Sequence, residues 1–131
     1  MLDVGGKKAN LRGEFRPPDA GVTSWVTLNS HSSVAPQIIG DAHQLPFREA
    51  SFDCVLICEV LEHLANPGGA LEEIHQVLRA GGVTLITIPF LVGVHSDPYD
   101  FQRWTSTRLR RELESVGFSR IEISPMGGNS F

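Results

Sequence analysis

The stretch DAHQLPFREASFD, residues 41–53, leads straight into Cys54-Val55-Leu56-Ile57-Cys58. An acid, Asp41, follows the apolar pair Ile38-Ile39 and Gly40. A turn with Leu45-Pro46-Phe47 comes next, and a second acid, Asp53, opens an unbroken apolar run. Such a run is expected of a strand covered on both faces, the kind found in parallel sheets. Residues 53–58 therefore read as a central strand, and Asp41 as a group standing at the end of its predecessor.

Working outward, residues 2–5, 25–28 and 37–39 read as three short strands before the central one. Asn66-Pro67 has the form of an N-cap and first helical residue. Leu71, Ile74, Val77 and Leu78 form a helical stripe that Gly81-Gly82 is expected to end. Residues 83–88 follow as a fifth strand. Thr105 caps a second helix carrying Leu109, Leu113 and Val116, closed by Gly117, and residues 120–124 read as a last strand. Strands alternating with helices predict an α/β fold with a mostly parallel sheet and flanking helices on both faces. Ligands of such sheets sit beyond the carboxyl ends of the strands.

The 131 residues suit a single domain over 1–131. With 41% hydrophobic and 20% charged residues the chain can build a core, and its net charge of −4 has no Lys/Arg block to attract nucleic acid or an anionic membrane. The longest apolar stretch, 83–94, has 12 residues and contains Pro89, against roughly 20 needed to span a bilayer. MLDVGG lacks the basic start and apolar segment of a signal peptide, so a cytoplasmic location is the default. Cys54 and Cys58 would stand about 13 Å apart in a strand, too far for a disulfide, and read as buried thiols.

The candidate site residues fall at the strand ends. Asp3-Val4-Gly5-Gly6 is a strand running into a turn that lets a ligand approach the backbone. Lys8 and Asn10 break the G-x-G-x-x-G fingerprint, which disfavours a dinucleotide. Asn29, where an acid would accept from ribose hydroxyls, offers a neutral bond worth ~0.5–1.5 kcal/mol against ~1.5–3 for a charged one. Asp41 beside the Ala42 N–H pairs an acceptor with a donor, which suits the edge of adenine. Glu59 can reach a cationic ligand group. Glu62 and His63 make a poor metal pair, being adjacent and without an H-x-x-x-H partner, and no metal is expected. His31, His43 and His75 read as surface residues. The densest polar–aromatic cluster is HSDPYDFQRWT, from His95 onward. Within it His95 is the candidate base at neutral pH with Asp100 orienting it, and Tyr99, Arg103 and Trp104 are candidate substrate contacts.

Taken together, LDVGG, the block at residues 40–90 and HSDPYDFQRWT resemble the class I S-adenosylmethionine-dependent methyltransferases, in the type-11 branch. The resemblance implies a Rossmann-like sheet and S-adenosylmethionine as cofactor. It implies that Asp3, Gly5 and Gly6 hold the methionine end, Asn29 the ribose, Asp41 and Ala42 the adenine, and Cys58 and Glu59 the methionine side. Leu45, Phe47 and Phe52 become the packing turn into strand four. The chain departs from the family pattern at Lys7, where a spaced glycine is usual, and at Asn29. It also reads as truncated, without the family's first helix and final antiparallel strand, and the sheet edge thus left unpaired favours a homodimer. The implied function is methyl transfer to a small molecule or glycan precursor. The alternative is a non-catalytic domain of the same fold that binds cofactor weakly or serves assembly.

Overall fold

A computed structural model describes residues 1–6, 21–22, 24–96 and 98–126. Five strands form one parallel sheet in the order β3-β2-β1-β4-β5: β1 Leu2–Val4, β2 Val26–Asn29, β3 Ile38–Ile39, β4 Phe52–Cys58 and β5 Leu78–Thr87. Two helices accompany them, α1 Pro67–Val77 and α2 Ser106–Val116. Lys7, Lys8 and Asn10 lie outside the described residues.

The registers explain which side chains form the core. Leu2 pairs with Val26 and Val55, and Val4 with Leu28 and Ile57. Side chains alternate between faces along a strand, so these apolar groups share one face. Leu71 and Ile74 of α1 and Leu109 and Leu113 of α2 bury against it. Both described helices therefore lie on this face rather than one on each side as expected. The opposite face carries Asp3, Thr27, Cys54 and Leu56, and then Val83 and Leu85, which are 62% and 56% exposed.

Local chemistry sets the helix ends. The Asn66 carboxamide oxygen accepts from the Gly69 N–H at 3.0 Å, with Pro67 in the first turn. The Thr105 side chain accepts from the Arg108 N–H, and Gly117, at φ +116°, closes α2 with N–H bonds to Leu113 and Glu114 carbonyls. Two expectations fail. Helix α1 stops at Val77, and Gly81-Gly82 lies inside β5 instead. A Cβ on Gly82 would sit 2.8 Å from the Arg79 carbonyl oxygen, so the glycine pair serves a bend where the β4–β5 register shifts. Residues 120–124 form no strand. Arg120 takes φ +54°, and the Ile121 carbonyl accepts from the Arg110 guanidinium. Ile121 and Ile123 instead pack against the core.

No helix among the described residues is long and apolar enough to cross a membrane. Cys54 and Cys58 are half-buried and form no disulfide.

Among the described glycines, Gly5 in the turn after β1 leaves the least room for a side chain. Gly5 has φ +84°, and a Cβ there would lie 2.5 Å from Val60 Cγ2. The left-handed backbone alone costs a non-glycine residue about 1–2 kcal/mol. Gly5→Ala is expected to lower unfolding stability by roughly 2 kcal/mol or more in urea melts. Adding Val60→Ala should return only the contact part of the loss. A Gly5→Ala protein as stable as the parent would show that the turn is not so constrained.

Candidate functional site

Because every strand runs the same way, the chain ends that follow β1, β2, β3 and β4 open along one edge of the sheet. Gly5 and Gly6 follow β1, Asn29 closes β2, Asp41 lies just past β3, and Glu59 follows β4. At roughly 4.8 Å between neighbouring strands, Asp41 and Glu59 stand about three strand spacings apart, with the glycine turn between them. Asp3 is 1% exposed and lies beneath this turn: a Cβ on Gly6 would come within 3.0 Å of its carboxyl carbon and 2.9 Å of Thr27 Cγ2. The turn is thus a backbone cradle that a side chain would fill.

The polar groups of the rim are tied to one another. The Asn29 amide donates to the Gly6 carbonyl at 3.3 Å, and its oxygen accepts from the His31 N–H at 2.9 Å. Asp41 Oδ1 accepts from the His43 N–H at 2.8 Å and lies 2.7 Å from His43 Nδ1. His43 Nε2 accepts from the Asn66 N–H, so Nδ1 carries the proton and donates to Asp41. The backbone N–H of His43 is the main reason that the Asp41 carboxyl stays below its ordinary range, so it is an anion at neutral pH. This Asp41–His43–Asn66 relay links the carboxylate to the start of α1, and a surface reading of His43 missed it. Its sequence signal was the His two residues after an Asp that ends a strand.

The rest of residues 41–53 anchors the loop. Leu45 is buried, and its N–H donates to Glu73 at 2.8 Å. Phe47 and Phe52 meet edge to face at 4.9 Å. Asp53 pairs with Arg79 at 2.9 Å at the start of β4, on the edge away from the rim. Ala42 is buried at 7% exposure beside Asp41, and Cys58 is half-buried at the end of β4.

Past β4 the backbone of Glu59 adopts φ +55° while its N–H donates to the Thr87 carbonyl. Burial, then the neighbouring Glu62 carboxylate, raise the Glu59 carboxyl above its usual range, opposed by His95 and Arg103. The 3-10 turn Leu61–His63 comes next, and the segment after β5 folds over it. Phe101 N–H donates to the Glu62 carbonyl, the Gln102 amide donates to the carbonyls of Leu61 and Leu64, and His63 Nδ1 donates to the Tyr99 carbonyl at 2.7 Å.

The residues placed around an acceptor separate into two groups. Asp100 and Arg103 form a two-pronged ion pair, and Arg103 also donates to the carbonyls of Val92 and Gly93. Arg103 is therefore spent on stapling the loop. Asp100 accepts from the backbone N–H of His95 at 2.9 Å, while the His95 ring Nδ1 is 3.7 Å from it and 3.1 Å from the Gly93 carbonyl. Asp100 thus orients the His95 backbone more directly than its ring. Arg103, then the His95 N–H, hold the Asp100 carboxyl down at about 2. This depressed value stabilises the loop at all pH above the ordinary Asp range near ~4, and the contribution is lost as pH falls through about 2. The Gly93 carbonyl, then Asp100 and Glu62, raise His95, against desolvation. Tyr99 is 62% exposed, and Trp104 packs on the core with Arg108 at 6.0 Å from its ring centre.

A parallel sheet of this order, with polar groups along its carboxyl edge, defines the Rossmann-like α/β class. The methyltransferase-domain family matches residues 20–86, and the chain belongs to that family, the class I S-adenosylmethionine-dependent methyltransferases. It is 33% identical over 85 residues to a probable S-adenosylmethionine-dependent methyltransferase of Mycolicibacterium smegmatis, covering 60% of this chain and 33% of that one. It is 43% identical over 51 residues to the demethylmenaquinone methyltransferase of Mycobacterium tuberculosis, covering 39% of this chain and 22% of that one. The chain thus spans a third or less of the length of these two relatives. In fold it is similar to a SAM-dependent methyltransferase of Archaeoglobus fulgidus, at TM-score 0.72 and 19% identity over 98% of this chain and 70% of that one. It is also similar to phosphoethanolamine N-methyltransferase 2 of Haemonchus contortus, solved with S-adenosylhomocysteine, at TM-score 0.70 and 18% identity over 93% of this chain and 34% of that one.

The left-handed Glu59 gives a direct check on the geometry of the rim. A residue held there costs of order 1–3 kcal/mol, which glycine avoids at its own entropic cost of about 0.5–1 kcal/mol. Glu59→Gly is expected to unfold within about 1 kcal/mol of the parent. Glu59→Val, branched at Cβ, should lose roughly 2 kcal/mol. Equal stability of the valine variant would show that Glu59 is not strained.

Proposed function

We propose that this chain binds S-adenosylmethionine along the carboxyl rim and takes part in methyl transfer to a hydroxyl or amine of a small molecule or glycan precursor. The observation that carries the reading is the alignment of Gly5-Gly6, Asn29, Asp41 and Glu59 on a single edge, beside the polar cluster of Glu62, His63 and His95. The residues suit the cofactor: the glycine cradle admits a backbone-hugging arm, Asp41 is an ionised acceptor with its side chain 66% exposed, and the rim spans several strands. In this reading Asp3, Gly5 and Gly6 hold the amino-acid arm, Asn29 meets the ribose, Asp41 and Ala42 meet the adenine edge, and Cys58 and Glu59 line the sulfur side.

The cofactor supplies a sulfonium methyl that is already electrophilic. What the chain must add is in-line alignment of the acceptor and removal of its proton. His95 belongs to the cluster that does this, with its ring aimed at Glu62 and its backbone set by Asp100. Tyr99 and Trp104 flank the approach. The negative net charge and the absence of a Lys/Arg block argue for a non-nucleic-acid acceptor. A cytoplasmic setting accords with Cys54 and Cys58 forming no disulfide.

Asn29 supports a second reading. Its amide is engaged by Gly6 and His31, so ribose would compete with internal bonds, as in a domain that binds cofactor weakly and serves assembly. Calorimetry with S-adenosylhomocysteine separates the two. The expected result is one saturable site that Asp41→Ala weakens about 10-fold or more, the order of one charged hydrogen bond. Folded protein giving no heat at millimolar ligand would overturn the first reading in favour of the second.

A further inference from the structure

Among the described residues, Glu62 is a buried carboxyl side chain that the fold leaves without a hydrogen bond. Its side chain is 1% exposed, and neither carboxylate oxygen has a hydrogen-bond partner. Leaving such a group unsatisfied costs about 1–3 kcal/mol, more when it is charged. Two imidazole nitrogens face it, His95 Nε2 at 3.5 Å and His63 Nε2 at 3.8 Å. Both rings are fixed from behind. His63 Nδ1 lies 2.7 Å from the Tyr99 carbonyl, and His95 Nδ1 lies 3.1 Å from the Gly93 carbonyl. A carbonyl only accepts, so each neutral ring carries its proton on Nδ1 and turns the Nε2 lone pair toward Glu62. The rings stand edge to face with centres 5.0 Å apart.

Three lone-pair donors thus converge within 4.8 Å of one another. When both rings are neutral these lone pairs repel one another, and a shared cation would relieve that repulsion. Ligands at about 2.0–2.2 Å from a shared ion in tetrahedral geometry lie roughly 3.3–3.6 Å apart. The two observed separations need only small side-chain adjustments to reach that range. An imidazole donating its far N–H to a backbone carbonyl is also the usual support of a metal ligand.

We propose that Glu62, His63 and His95 bind one divalent transition-metal ion. Two nitrogen donors favour a cation such as Zn²⁺ or Ni²⁺ over Mg²⁺ or Ca²⁺, which prefer all-oxygen sites. The sequence hid the site because its ligands come from a 3-10 turn and from a loop 32 residues beyond His63. Adjacent side chains diverge in a strand, but in this turn Glu62 and His63 both reach His95. Resting on the methyltransferase reading, the ion has an evident use: it would hold an acceptor hydroxyl beside the cofactor rim and acidify it. The binding itself does not depend on that reading.

The test uses the tag-free full chain, stripped with chelator and checked by circular dichroism for native fold. Titration with Co²⁺ should give a saturable visible absorption at one equivalent, and Zn²⁺ should displace it. Thermal melts should rise with Zn²⁺ concentration. Glu62→Gln and His95→Ala should each weaken binding at least 10-fold, and Glu62→Gln keeps the shape of the buried side chain, so it is expected to fold. Absence of stoichiometric absorption on folded protein, or metal affinity unchanged in both variants, would overturn the proposal. The metal signal is read without nucleoside, and cofactor binding is read in chelator, so failure of one leaves the other to stand or fall on its own titration.

Discussion

Parallel pairing of β1 between β2 and β4 is the constraint on which everything else rests. Leu2 and Val4 meet Val26 and Leu28 on one side and Val55 and Ile57 on the other. Leu2, Val4, Val55 and Ile57 are at most 1% exposed. Full burial of such side chains contributes about 1.5–3 kcal/mol each, and it is available only when the strands run in this register. A slip by one residue would turn the apolar set to the face that now holds Asp3 and Cys54. The same pairing delivers Gly5, Asn29, Asp41 and Glu59 to one edge, so the packing that makes the protein stable also assembles the rim.

At that edge local stability is given up. Glu59 holds a left-handed backbone, Gly5 is pressed against Val60, and Glu62 is buried without a hydrogen bond. Backbone strain and a buried carboxyl group without a hydrogen bond, concentrated next to a strand end, are what a site shaped for a ligand looks like. The surrounding structure is strong enough to bear it. Arg103 and Asp100 tie Val92, Gly93 and His95 together, Gln102 and Phe101 bind to the turn beneath, and the relay from Asp41 through His43 reaches the first turn of α1.

Much of this is legible in the sequence alone. The apolar run of β4, the Asn66-Pro67 start of α1 and the Thr105 and Gly117 bounds of α2 follow from short-range chemistry, which sequence records directly. The rim was legible too, because strand ends and chain direction are enough to place Asp41 and Glu59 together. Features depending on long-range register were not. The shift between β4 and β5 moved Gly81-Gly82 from a helix end into a strand. Ile121 and Ile123 alternate as a strand would but find the core instead of a strand partner. His43 looked like a surface residue because its partners are two and 23 residues away. The meeting of Glu62, His63 and His95 depended on a loop fold that no periodicity encodes.

The central claim is that one edge of the sheet forms a single adenosine-binding rim, and the most direct measurement is an amide NMR titration with S-adenosylhomocysteine. The account predicts that Gly5, Gly6, Ala42 and Glu59 shift together with one saturation curve. Asp53 and Arg79, at the opposite edge, should stay in place. Shifts that cluster around Asp53 and Arg79, or that give unrelated curves for the four rim residues, would contradict it.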